Sequence, residues 1–109
     1  MLTWLLIIAL GVSTGADIAS TDACQRRGCI ETASPALLTR HPSPVRAALG
    51  LGGISAAEAG GLLATRRHGP RWIRSAVRGL VVAEVVGHGY YAARNGGVCP
   101  HGRGGVCRP

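Results

Sequence analysis

The stretch VRAALGLGGISAAEAGGLLAT, residues 45–65, decides the fold. It is long and apolar, and small residues recur in it at four-residue spacing, at Gly52, Ala56, Gly60 and Ala64. In water, each glycine in a helix interior costs about 1 kcal/mol relative to alanine. In a lipid bilayer, a stripe of small residues instead lets a second helix approach closely. The pattern predicts a membrane-spanning helix that packs through these residues, with compositional bias as the alternative origin of the stripe.

Two further apolar stretches flank this one, at residues 2–19 and 72–94. Each approaches the 20 or so residues, at about 1.5 Å per residue, that a bilayer span needs. Trp72 opens the third stretch and Tyr90 lies near its end. At helical rise these two rings stand about 27 Å apart, near the spacing of the aromatic belts at the two membrane interfaces. The third stretch is the least apolar of the three.

The sequence therefore predicts one all-α domain over residues 1–109, a three-span transmembrane helical bundle. Residues 20–44 form a polar loop, and residues 95–109 form a glycine-rich C-terminal tail. We expect a multi-pass protein of the cell membrane, most simply the bacterial inner membrane, with the lipid bilayer as its surroundings.

The charge of the chain does not predict a nucleic-acid partner. The formal net charge is +7, and all 12 basic residues are arginines. Most of these arginines lie between apolar stretches, and the aromatic residues are not interleaved with them as a base-stacking surface requires.

Three spans place the N-terminus and the turn at 65–72 on one face, and the loop and tail on the other. The arginine count is divided between the two faces, but the arginines are densest in the short turn. The positive-inside rule, applied to that density, puts the turn in the cytoplasm and the loop and tail outside.

The four cysteines all lie on the loop and tail side, at Cys24, Cys29, Cys99 and Cys107. Their spacings are C-x4-C and C-x7-C, which fit a structural zinc site poorly and match neither a redox nor a haem motif. On an oxidising face they predict two disulfides, one within the loop and one within the tail. Loop-to-tail pairing, a soft metal and free thiols stay open as alternatives; no metal and no cofactor is predicted.

Four polar residues lie inside the predicted spans, at Glu58, Arg78, Glu84 and His88. Such residues are expensive in lipid unless they are paired or neutral. One hypothesis is that they form a proton or ion path. The favoured alternative is that Glu58 or Glu84 is protonated, or paired with Arg78 or His88, and fixes how the helices pack.

A short polar signature surrounds the end of the first span. It is an Asp followed by D-x-x-x-T, a Gly, then E-x-N-P, and its positions here are Asp17, Thr21, Gly28, Glu31 and Pro35. The stretch resembles a family of uncharacterised small bacterial multi-pass membrane proteins, and the end of the third span resembles it through His88 and Asn95. The chain departs from the pattern by one extra residue before Pro35 and by Ser34 in place of Asn. The resemblance implies the architecture and no reaction.

Two roles are open for the signature residues. They could line a small hydrophilic pocket with Glu84 or His88. The favoured interpretation is that Asp17 is interfacial or caps the polar loop, and that Asp17, Thr21 and Glu31 bond loop backbone and hold its turn.

No catalytic motif occurs in the chain, so an enzyme is not predicted. The leading hypothesis is a structural or interaction protein that associates with itself or with a larger membrane protein through Gly52, Ala56 and Gly60. The second hypothesis is a small proton or metal-ion carrier that uses Glu58, Glu84 and His88. A third is a secreted basic protein, released by signal cleavage after Ala16.

Overall fold

The computed structural model describes residues 1–30, 42–95 and 106–107, of which 29, 30, 106 and 107 are described by their backbone alone. The fold is all-α, as predicted. Its three helices are α1 (Leu2–Arg26), α2 (Pro44–Thr65) and α3 (Arg71–Asn95). A two-residue antiparallel pairing joins β1 (Cys29–Ile30) to β2 (Val106–Cys107).

The first helix continues beyond residue 19, where the sequence predicts its end, and stops at a glycine. Arg27 and Gly28 donate backbone hydrogen bonds of 3.0 Å to the carbonyls of Cys24 and Gln25. Gly28 has a φ of 85°, a left-handed conformation that costs other residues a clash between Cβ and the backbone. Gly28 of the signature is therefore the residue that ends α1 and turns the chain into β1.

The second helix has a complete N-terminal cap. The Ser43 side chain accepts a hydrogen bond of 3.2 Å from the backbone N–H of Arg46, and Pro44 occupies the first helical turn, where its missing N–H is not needed. After α2, Gly69 adopts a φ of 104° and the chain reverses into α3. The connection between α2 and α3 is therefore a tight turn.

The three helices run up, down and up. Asp17 and Thr21 of α1 meet His88 and Asn95 of α3, so these two helices are parallel. Ser55 of α2 meets Thr14, while Leu62, later in α2, packs in one cluster with Leu10, earlier in α1. The guanidinium of Arg66 lies 6.0 Å from the centre of the Trp4 ring, beside the start of α1. The turn after α2 and the N-terminal end of α1 therefore share one end of the molecule.

The distribution of polar and apolar side chains is inverted relative to that of a water-soluble protein. The buried positions of the described residues include seven polar ones and only six apolar ones. Large aliphatic side chains are exposed on every helix, including Leu5, Ile8, Val12, Leu49, Ile54, Leu63, Leu80, Val82 and Val86. In water such exposed apolar surface favours aggregation, whereas in lipid it is the expected outer face.

Two helices, α1 and α2, are long and apolar enough to cross a membrane. The third helix, α3, carries Arg78, Glu84 and His88 and is less apolar. The third predicted span, residues 72–94, therefore stays a prediction.

The stripe of small residues on α2 does not pack the helices of this chain together. Ala56, Gly60 and Ala64 are exposed. A Cβ atom added at Gly52 or Gly60 would meet nothing within 4 Å. The expected packing through these residues is therefore not found inside the chain, because the stripe faces away from α1 and α3.

Replacing Gly28 by alanine tests the end of α1. We expect Gly28→Ala to lower the free energy of unfolding by about 1–2 kcal/mol, the cost of a left-handed conformation. Gly11→Ala is the control, since a Cβ at Gly11 meets nothing within 4 Å and its helical conformation suits alanine. Unfolding by a denaturing detergent, followed by circular dichroism in mild micelles, measures both. Equal stability of the two variants would contradict the assignment.

Candidate functional site

A line of buried polar side chains runs along the contact between the helices. We call it the polar seam, and it consists of Thr14, Asp17 and Thr21 on α1, Ser55 on α2, and His88 and Asn95 on α3. The α1 members are three and four residues apart, a spacing that places them on one helix face. That face is the one turned towards α2 and α3.

The centre of the polar seam is a bond between α1 and α3. Nδ1 of His88 lies 2.7 Å from Oδ2 of Asp17, and both side chains are only 7% exposed. With Asp17 ionised, Nδ1 carries the hydrogen and donates it to the carboxylate. The bond therefore fixes the orientation of the imidazole ring and leaves Nε2 as its second nitrogen.

Two further contacts extend the polar seam on either side. The hydroxyls of Thr14 and Ser55 are 2.7 Å apart, which ties α1 to α2. Nδ2 of Asn95 donates to the Thr21 hydroxyl at 3.2 Å. Nη2 of Arg27 donates to the Asn95 carbonyl at 2.6 Å. The polar seam thus continues from the middle of the molecule to the end where α1 and α3 stop.

One glutamate approaches the ring nitrogen of His88 that Asp17 does not hold, and a second lies in the same region. Oε2 of Glu84 is 3.6 Å from Nε2 of His88, which is too long for a hydrogen bond. Glu58 of α2 interacts electrostatically with both Glu84 and His88. Oε2 of Glu58 and Nε2 of His88 are both buried without a hydrogen-bond partner. Each helix therefore contributes one carboxyl group to the surroundings of a single imidazole.

The structure revises several of the predicted roles. The carboxylate of Asp17 is buried against His88, and α1 continues past Asp17 to Arg26. Its predicted role in capping the polar loop concerns residues 31–41, outside the described part of the chain, and stays a prediction. Thr21 bonds Asn95 rather than loop backbone. Among the described residues, Arg78 forms no ion pair with a glutamate, and the contact of Glu84 with His88 is within one helix. Glu31 and Pro35 lie outside the described residues.

The cysteines are only partly described. Cys24 is buried on α1, and none of the described cysteines is free. The backbone of Cys29 lies opposite that of Cys107 in the β1–β2 pairing. Cys99 lies outside the described residues. No group of three or more histidine, cysteine, aspartate or glutamate side chains within the described part of the chain could hold a metal ion.

Sequence reasoning missed Thr14 and Ser55. The signal for Thr14 is its spacing, because it precedes Asp17 by three residues and Thr21 follows Asp17 by four. It also missed two outward-facing stripes of small residues, Gly11, Gly15 and Ala19 on α1 and Gly79, Ala83 and Gly87 on α3. No neighbouring atom lies within 4 Å of a Cβ added at any glycine of these two stripes.

No protein-family model, curated protein or solved structure matches the chain. The resemblance to the family of small bacterial membrane proteins therefore stays a prediction.

Removing Asp17 tests the importance of its bond to His88. We expect Asp17→Ala to lower the free energy of unfolding by about 3 kcal/mol, because the buried imidazole loses its partner. Asp22→Ala is the matched control, since Asp22 pairs with Arg26 on the surface of the same helix and exposed pairs contribute little. Detergent unfolding measures both variants. A loss at Asp17 no larger than that at Asp22 would show that the buried bond does not hold the helices together.

Proposed function

We propose that the protein is a three-span integral membrane protein of the bacterial cell membrane, with a structural or interaction function. The open stripe of small residues on α2 packs against a helix of a second copy or of a larger membrane protein. The observation that carries this proposal is that the glycines of the stripe have no neighbour among the described residues, although they suit close approach of helices.

The direction of the polar groups on α3 supports its role as the third span. His88 is buried against α1, and Glu84 approaches the same imidazole, so neither group is turned fully towards lipid. Arg78 is half-buried, and its long side chain is able to extend towards the end of the bundle near the turn. Leu80, Val82 and Val86 form the outward face. The helix is therefore able to lie in lipid despite its polar residues.

The position of α1 supports a retained helix rather than a cleaved signal sequence. Cleavage after Ala16 would remove Leu10, which packs with Leu62 and Val81, and Thr14, which bonds Ser55. The remaining helices would lose these buried contacts. The secreted alternative is therefore less favoured than an integral membrane protein.

We also propose that the loop and tail face an oxidising exterior and are joined by disulfides. Residues directly opposite each other in an antiparallel pair have Cα atoms about 4.5–5.5 Å apart. That spacing lies within the range of about 4.4–6.8 Å that a disulfide requires. The register of β1 and β2 therefore favours a bond between Cys29 and Cys107, which leaves Cys24 and Cys99 as the second pair. This connectivity differs from the two local pairs that the spacing alone predicts.

Leucine substitutions on the stripe test the proposed association. We expect the triple variant Gly52→Leu, Ala56→Leu, Gly60→Leu to lose self-association or its partner, because leucines hold a neighbouring helix away. Internal packing is spared, since these positions face outward. The measurement is energy transfer between labelled copies in bilayers, together with cross-linking in cell membranes to detect a different partner.

Two controls accompany the triple variant. The variant Gly52→Ala, Gly60→Ala keeps the residues small and retains the association. Ala16→Leu adds a leucine at an exposed position on α1 outside the stripes and also retains it. An unchanged energy transfer and cross-linking pattern in the triple variant would reject the stripe as an interface.

Peptide mapping without reduction tests the disulfides. Cleavage after arginine places the four cysteines in separate peptides, residues 1–26, 28–40, 95–103 and 104–109. We expect mass spectrometry to find 28–40 linked to 104–109 and 1–26 linked to 95–103. Linkage of 1–26 to 28–40 would establish local pairs instead, and four unlinked thiols would reverse the proposed orientation.

A further inference from the structure

Within the described part of the chain, two buried polar atoms near the middle of the molecule have no hydrogen-bond partner. Nε2 of His88 belongs to a residue that is only 6% exposed, and it is directed towards Glu84 without reaching hydrogen-bond distance. Oε2 of Glu58 is buried in the same region. An unpaired polar atom in a low-dielectric interior is costly, so two such atoms in one region suit a ligand that both can bond.

The groups around these two atoms suit a shared proton. The titratable groups that face His88 are Asp17 from α1, Glu58 from α2 and Glu84 from α3. Nδ1 of His88 is occupied by Asp17, so Nε2 and the two glutamates are the groups left to share a proton. No set of metal ligands is formed by the described residues.

The two ends of the site differ. Towards the ends of α1 and α3, polar groups continue through Thr21 and Asn95 to Arg27, which is exposed. Towards the turn between α2 and α3, the buried side chains of Leu10, Leu62 and Val81 fill the space between the helices, and further aliphatic residues pack around them. Polar side chains therefore lie towards one end of the bundle, and apolar side chains pack towards the other.

We propose that Glu58, Glu84 and His88 form a one-sided proton-binding site, occupied together with a water molecule and reached from the end that carries Arg27 and Asn95. On uptake, a hydronium ion gives its proton to Nε2. One O–H bond of the hydronium breaks, an N–H bond forms, and a water molecule remains. The ionised carboxylate of Asp17 balances the charge of the resulting imidazolium, and Glu58 and Glu84 lie near the Nε2 side. The site loads and releases protons on one face and does not conduct them across the membrane.

Nitrogen NMR of the full chain in bilayers tests this proposal. The chain has four histidines, so His41, His68 and His101 are replaced by glutamine and the ring nitrogens of His88 give the only imidazole signals. We expect reversible protonation of Nε2 with pH. Glu84→Gln and Glu58→Gln each lower the proton affinity of His88 by about tenfold, because a nearby negative charge is removed. Asp22→Asn, on the surface of α1, leaves it unchanged.

A second arm tests the one-sided access. In sealed vesicles with the protein in one known orientation, the pH is changed on one side at a time. His88 responds to the side that carries Arg27 and Asn95. Equal response to both sides would overturn the one-sided route. A ring that never changes protonation while the helices stay folded, or one indifferent to both glutamate variants, would overturn the site.

If one glutamate variant fails to fold, the other variant and the titration of the parent chain still test the proposed proton-binding site. None of these changes touches the small-residue stripe on α2, so failure here leaves the proposed association standing.

Discussion

The bond between Asp17 and His88 is the interaction on which the arrangement of the helices depends. Both groups are buried, and in a bilayer neither finds water as a substitute partner. They satisfy each other only at one longitudinal and rotational alignment of α1 against α3. That alignment brings Thr21 level with Asn95, which bonds it. It also leaves Thr14 facing α2, where Thr14 bonds Ser55. One ionisable pair thus fixes the register that aliphatic contacts alone would leave variable.

The polar contacts that select one arrangement of the helices lie inside the bundle, so the outer surface is available for contacts with other helices. In lipid, burial of aliphatic side chains supplies no driving force for helix association, since lipid tails are as apolar as leucine. The polar seam and the small cluster of Leu10, Leu62 and Val81 therefore define the bundle. Ala47 is buried within it, but most of the small residues lie on the surface of the three helices. The same distribution that holds one chain together makes its exterior suited to contact with other helices.

The helices were predictable from the sequence because they depend on the lengths of apolar stretches, a local property. The end of α1 was placed too early, since residues after 19 are polar in composition but several of them are turned inward. Buried positions on α1 follow a seven-residue repeat, at Thr3, Leu10, Thr14, Asp17, Thr21 and Cys24. The repeat can be recognised in the sequence of α1 if polar residues are accepted at buried positions.

What the sequence could not supply is the choice of partners. Asp17, Glu58 and Glu84 were all available to His88, and the selection depends on the rotation of each helix about its axis. The α2 stripe is ambiguous for the same reason, because small residues suit an inner and an outer contact equally. Local spacing likewise favoured cysteine pairs within the loop and within the tail, whereas the register of β1 and β2 depends on how loop and tail meet.

More carboxyl groups lie around His88 than a purely structural role of this histidine requires. A single carboxylate, that of Asp17, is enough to hold the ring and to align the helices. Glu58 and Glu84 add two more carboxyl groups to the same region, and they leave Oε2 of Glu58 and Nε2 of His88 without partners. For packing alone, aliphatic residues of similar volume would serve at least as well, since a buried charge carries a large desolvation cost. A group that gains and loses a proton, by contrast, needs acceptors held close but not permanently bonded. Oε2 of Glu84, 3.6 Å from Nε2 of His88, is an acceptor of this kind, and the proposed proton-binding site rests on that geometry.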